Sequence, residues 1–300
     1  MDFAIALQKL ASYRPRRNPT YKKTFDDGLP LLDSDGWKRR ADSWEFLEVL
    51  ALAALDSERY DVSDRCIKHL VEKFGNSPRV DVLSGIRIEA MGKPEIALEY
   101  YNRLLEDDPT NSAAWRRKAY VLRIMGKLDK SVEELTALLD TFYNEVDGWV
   151  ELAEVYHLCN QYNYALQALS HALLLAPQNP FYVLEFAEIA YASGDMPLAV
   201  KMFLVTVDMT DDEDAPITSY QMDVTLRAWY GVKLSLRRLA PDTRSPSQTT
   251  LPANAEIIGK LAMERLQHAY EQRTQGVSTP QSEDDLLEWA STTLKPTPQA

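Results

Sequence analysis

The stretch Trp149-Val150-Glu151-Leu152-Ala153-Glu154-Val155-Tyr156, followed by Ala165, Ala172 and Pro177, decides the fold. With Val146 as position 1, a first helix carries Trp149 at 4, Leu152 at 7, the small Ala153 at 8 and Tyr156 at 11. A second helix carries Ala165 at 20, Leu169 at 24 and Ala172 at 27, and Pro177 closes the unit at 32. The pattern recurs at steps of 34 residues. From Pro78 the same places hold Gly85 (8), Gly92 (15), Ala97 (20), Tyr101 (24) and Pro109 (32). From Ser112 they hold Trp115 (4), Ala119 (8), Gly126 (15) and Leu135 (24). From Pro180 they hold Phe186 (7), Ala187 (8), Gly194 (15), Ala199 (20) and Phe203 (24). The span from Trp44 matches more weakly, through Leu50, Ala51, Ser63 and Ile67. Five spans, 44–77, 78–111, 112–145, 146–179 and 180–213, follow one another without an insertion.

Each feature of the period has a physical cause. Small residues at 8 and 20 let two helices approach closely, and the bulky residue at 24 fills the space between neighbouring hairpins. Gly or Asn at 15 (Gly92, Gly126, Asn160, Gly194) suits the left-handed residue that ends a helix. Proline near 32 stops the second helix. One hairpin cannot bury its apolar face, so hairpins must stack. These are the marks of the tetratricopeptide repeat (TPR), and the expected fold is an all-α TPR superhelical solenoid with five regular hairpins.

The register breaks after Asp211. An acidic turn, Asp211-Asp212-Glu213-Asp214, leads into an irregular C-terminal hairpin over 214–273, whose helices are expected at Thr218–Leu239 and Ala253–Gln272. The polar, Pro-rich segment 241–252 between them reads as an exposed loop. Residues 274–300 read as a linker, a short helix N-capped at Ser282 with acids in its first turn, and a disordered tail. Residues 1–43 read as an N-terminal arm, with a short helix over Phe3–Leu10 and a basic, proline-broken segment at 14–23. A basic segment could touch anionic lipid or nucleic acid, but this one forms no continuous charged face and is read as a solvated arm lying on an acidic solenoid. Trp37 and Trp289 are read as anchors at the two ends.

Composition excludes several functions. A net charge of −12 does not suit a phosphate backbone, so no nucleic-acid partner is expected. The start MDFAIALQKL, with its early Asp and broken apolar run, is not a signal peptide, and no charge-free apolar window of spanning length occurs. Two cysteines, Cys66 and Cys159, make no disulfide framework and point to a reducing compartment. His69, His157, His171 and His268 show no metal-ligand spacing, and neither cysteine lies in a Cys-x2-Cys pair. No phosphate loop is present either, since Gly85 and Gly92 are repeat positions. The expectation is a protein without catalytic residues, metal or cofactor.

Positions 5, 9 and 12 of each first helix line the concave side of a TPR stack. Here they hold Glu48, Val82, Arg116, Val150 and Leu184; Leu52, Ile86, Tyr120, Glu154 and Glu188; Leu55, Glu89, Arg123, His157 and Tyr191. The expected protein-binding groove comprises Val82, Ile86, Arg116, Tyr120, Arg123, Glu154, His157, Glu188 and Tyr191. It has a basic middle and acidic later repeats, which suits a folded or helical partner of mixed polarity. The Lys at 5 and Asn at 9 that clamp a C-terminal carboxylate in chaperone adaptors are replaced by Glu48 and Leu52.

Residues outside the repeat pattern carry a closer likeness. Val80-Asp81-Val82-Leu83-Ser84-Gly85-Ile86-Arg87-Ile88-Glu89-Ala90-Met91 and Leu104-Leu105-Glu106-Asp107-Asp108-Pro109-Thr110-Asn111 resemble the signature stretch of the subunit 2 family of the endoplasmic reticulum (ER) membrane protein complex. Thr225-Leu226-Arg227-Ala228-Trp229-Tyr230-Gly231 and Glu283-Asp284-Asp285-Leu286-Leu287-Glu288 are similar to its late repeat and last helix. The likeness runs collinearly over 44–290; the basic arm and the loop 241–252 depart from it. It implies a peripheral scaffold on the cytosolic side of the ER. Such a scaffold binds cytosolic parts of membrane-embedded insertase subunits and a small cytosolic subunit. It supports insertion of tail-anchored and multi-pass membrane proteins, and it attaches to the membrane through protein contacts. The alternative is a free cytosolic TPR adaptor.

Overall fold

The computed structural model describes residues 28–30, 32, 43–75, 77–210, 219–239, 247 and 249–274. The expected helix at Phe3–Leu10, the basic segment 14–23, Trp37, the acidic turn 211–214, most of the loop 241–252 and everything after Thr274 lie outside these residues. Among the described residues twelve helices follow residues 28–32: α1 Ser43–Asp56, α2 Tyr60–Phe74, α3 Pro78–Ala90, α4 Pro94–Asp107, α5 Ser112–Ile124, α6 Leu128–Thr141, α7 Val146–Leu158, α8 Tyr162–Leu175, α9 Pro180–Ser193, α10 Met196–Thr210, α11 Ser219–Leu239 and α12 Ala255–Thr274. No strand occurs among these residues. The fold is all-α, of the TPR type.

Local chemistry sets the helix ends. Pro78, Pro94 and Pro180 stand in the first turns of α3, α4 and α9, where no amide hydrogen is needed. The Asn111 side chain accepts the Ala114 N–H at 3.0 Å and Asn179 accepts that of Phe181 at 3.1 Å, capping α5 and α9. Asp195 Oδ1 caps α10 by accepting the Leu198 N–H at 3.1 Å. Position 15 of each of the five regular hairpins is left-handed: Glu58 (φ 57°), Gly92 (69°), Gly126 (74°), Asn160 (57°) and Gly194 (91°).

The chain packs as two compact units, Met1–Tyr143 and Asn144–Ala300. In the first, α1/α2, α3/α4 and α5/α6 form hairpins, with α3 packed on α1 and α2 and α5 packed on α3 and α4. In the second, α7/α8, α9/α10 and α11/α12 pair, with α9 on α8 and α11 on α9 and α10. The core lies where the period places it. Ala51, Ala119, Ala153 and Ala187 at position 8, and Ser63, Ala97, Ser131, Ala165 and Ala199 at position 20, are all fully buried. Tyr101, Leu135, Leu169 and Phe203 at position 24 are buried too, each such side chain contributing about 1.5–3 kcal/mol. In the first hairpin Cys66 is fully buried and its neighbour Ile67 only half so. Gly28 and Leu32 also reach this core: Leu32 is buried with Leu47 and Leu50, and a Cβ on Gly28 would lie 2.7 Å from Leu50.

Candidate protein-binding surface

In the first unit the groove positions divide between core and surface. Val82 is buried with Ala97, Tyr101, Ala114 and Val121, and the half-buried Ile86 packs on the same cluster. Arg116 is half-buried, with its Nε shielded from solvent. Tyr120 is the centre of the charged part: the Arg123 guanidinium lies 5.0 Å from its ring centroid and that of Arg117 lies 4.5 Å from it. Residues three apart on a helix are neighbours, so Tyr120 sits between the two cations along α5. Glu48 on α1 accepts from Arg79 Nε at 2.9 Å.

Sequence reading did not identify Arg117, which organises this region. Its Nε donates to Glu89 Oε1 at 2.9 Å and its Nη2 donates to Glu89 Oε2; the Tyr101 hydroxyl donates to Glu89 Oε1 at 2.6 Å. Both charged side chains are nearly buried, at 14% and 8% exposure. Burial pushes the Tyr101 hydroxyl well above its usual range, and the Glu89 charge adds to this. Burial opposes the charge on Arg117, yet Glu89 and Tyr101 together outweigh it and hold the guanidinium more firmly protonated than usual. The network links α3, α4 and α5. The signal for it in the sequence is slight: a Glu at position 12 of one repeat and an Arg at position 6 of the next.

In the second unit Glu154 is half-buried and His157 is exposed, its ring 5.8 Å from that of Tyr162. Glu188 accepts from Arg227 Nη2 at 2.6 Å, and Arg238 lies over the Tyr191 ring at 5.3 Å. Both arginines come from α11, beyond the five regular spans, so the Glu188 carboxylate is countered from within the chain. Among the described residues no three His, Cys, Asp or Glu converge as metal ligands. No described helix is long and apolar enough to cross a membrane.

The described elements and the repeat register agree with what comparison finds. A profile of the EMC2 TPR-like repeat domain matches residues 66–202. ER membrane protein complex subunit 2-A of Xenopus laevis is 30% identical over 245 residues, which cover 80% of this chain and 78% of that protein. The chain belongs to the ER membrane protein complex subunit 2 family. A further family resemblance is to the TPR repeat protein oca3 of Schizosaccharomyces pombe, 33% identical over 143 residues covering 48% of this chain and 51% of that one. Among solved structures, the C-terminal part of a TPR repeat-containing protein from Cytophaga hutchinsonii aligns with a TM-score of 0.55 at 13% identity, covering 97% of this chain and all of that one. That likeness carries the TPR fold and nothing further. The profile match runs from Cys66 in α2 to Met202 in α10 and so takes in Tyr101, Glu89, Arg117 and Tyr120.

Proposed function

We propose that this chain is a non-catalytic scaffold subunit of the ER membrane protein complex, held peripherally on the cytosolic side. In this reading it binds cytosolic parts of the membrane-embedded insertase subunits, and a small cytosolic subunit, and supports insertion of tail-anchored and multi-pass proteins. The observation that carries the reading is the match to subunit 2-A over four-fifths of the chain. The geometry supports it: Ile86, Tyr120 and Arg123 offer an apolar, aromatic and cationic surface of the mixed kind that protein partners use. The surface is firm, because Tyr120 is flanked by a guanidinium that Glu89 already fixes. Arg116, Glu154, His157, Glu188 and Tyr191 complete the proposed contact residues; Val82, buried in the core, is not among them.

The test is a pull-down of the tagged chain from detergent-solubilised membranes, read by mass spectrometry. Integral membrane subunits are expected at near-stoichiometric yield. Recovery of soluble chaperones alone, or partition of the chain away from membranes, overturns the reading and leaves a free TPR adaptor.

A further inference from the structure

From Val155 to Leu184 the sequence holds no Asp, Glu, Lys or Arg, in a chain where 26% of residues are charged. Helix α8 lies wholly within this stretch. Its outward face is nevertheless solvent-exposed: Tyr164 is 56% and Leu174 79% exposed, with Gln167 and His171 exposed between them. The corresponding helices of other hairpins carry charge there, as α4 does with Glu95, Glu99 and Arg103, and α6 with Asp129, Lys130 and Glu133. A solvated helix face gains from charged residues; an exposed face without them, bearing Tyr and Leu, has the composition of a protein interface core.

We propose that the stripe Tyr164-Gln167-His171-Leu174 docks one amphipathic helix of a partner protein whose contacting face is itself uncharged. The spacing of three, four and three residues is that of a helix–helix seam and runs about 15 Å along α8. Two of its members are braced by α7. The Tyr156 ring lies 5.4 Å from that of Tyr164, and Trp149 stacks on His171 at 4.4 Å with 21° between the planes. Side chains fixed before binding lose less entropy on binding. An uncharged partner face follows from desolvation: a charge buried against Gln167 and Leu174 would have no counter-ion. A lipid surface is disfavoured, because an interfacial helix needs flanking Lys or Arg and α8 has none. A second copy meeting α8 on α8 is disfavoured by size, since one short helix face falls well below the roughly 800 Å² per partner of a stable interface. A helix of a partner held elsewhere on this chain needs only the added contact, and here the inference rests on the scaffold role proposed above.

The test places a benzophenone photo-crosslinker at the exposed Ser170 of the full-length chain in cells, with the cross-linked peptide sequenced. The expected adduct is a helical segment of another protein, uncharged at its contacting positions. Its yield should fall about tenfold in Gln167→Glu/Leu174→Asp and stay unchanged in Lys130→Glu, an exposed position on α6. Both altered positions are exposed, so the thermal melt should not move. An adduct to a second copy or to lipid, or a yield indifferent to the double substitution, overturns the proposal. So does a lack of any protein adduct when integral subunits co-purify. An adduct to an uncharged helix of a soluble protein, with no integral subunits recovered, supports the surface and sinks the scaffold role.

Discussion

Gly85 shows how much rests on one hydrogen atom. A Cβ built there would lie 2.5 Å from the Tyr101 ring, whereas one built on Gly259 of α12 would meet Leu236 Cδ1 at an ordinary 3.5 Å. Alanine in a helix interior is worth about 0.5–1 kcal/mol over glycine when nothing collides. Gly259→Ala should therefore stabilise by about that amount, while Gly85→Ala should destabilise by about 1–3 kcal/mol through overpacking, as read from urea midpoints. A neutral Gly85→Ala would mean that Tyr101 moves aside at no cost. Cys66 offers a second check: burial pushes its thiol up to about 12, while Cys159 is half-exposed. Below the ordinary thiol value near 9 the fold keeps its full stability; as pH rises from there toward 12 the unfolded chain's thiol ionises while the buried one stays protonated, and stability falls. At pH 8 iodoacetamide should modify Cys159 first and reach Cys66 only at the rate of unfolding; modification of both together in the folded protein would contradict the packing. Residues of this kind were legible where the period dictates size. Glu58 was not: its backbone is left-handed like Gly92 and Gly126, because the hairpin turn demands that conformation whatever side chain stands there.

At the scale of the helices, the period located the hairpins because Pro78, Asn111, Asn179 and Pro180 act locally, within a turn of the positions they set. The Glu89–Arg117–Tyr101 network escaped the same reading, since it joins α3, α4 and α5 and depends on which way long side chains turn. Tyr101 was legible as the bulky residue at position 24; that its hydroxyl would close an ion pair was not. The energetics of such a pair are asymmetric. Arg117→Ala should cost about 3–5 kcal/mol, because it leaves the Glu89 carboxylate buried without a counter-charge. Arg117→Met/Glu89→Leu should recover much of this, since neither charge remains to be desolvated. Equilibrium unfolding of the two singles and the double gives the coupling energy directly. A double variant no more stable than Arg117→Ala would show that the helices need the charges themselves. The seam between Tyr143 and Asn144 also left no mark in the period, which passes through it unchanged.

For the whole molecule the question is which surface partners occupy. Sequence register assigned groove positions, and burial and pairing distinguish them: Val82 serves the core, Glu188 is tied to Arg227, and the half-exposed Arg123 packs its guanidinium on the Tyr120 ring. That sorting was beyond the sequence because Arg227 and Arg238 belong to the irregular hairpin, where no period predicts what they face. In a chain of net charge −12, a cationic centre is the place where an acidic partner segment would be drawn in. Arg116→Glu/Arg123→Glu should then lower recovery of integral membrane subunits about tenfold, a loss of about 1.4 kcal/mol in binding. Because Arg116 is half-buried, Arg123→Glu is also made alone. Its guanidinium leaves the Tyr120 ring without touching the Glu89–Arg117 pair, so helical content and melting temperature should hold while binding falls. Full recovery of the membrane subunits by both variants would exclude these arginines from the interface and turn attention to the uncharged face of α8.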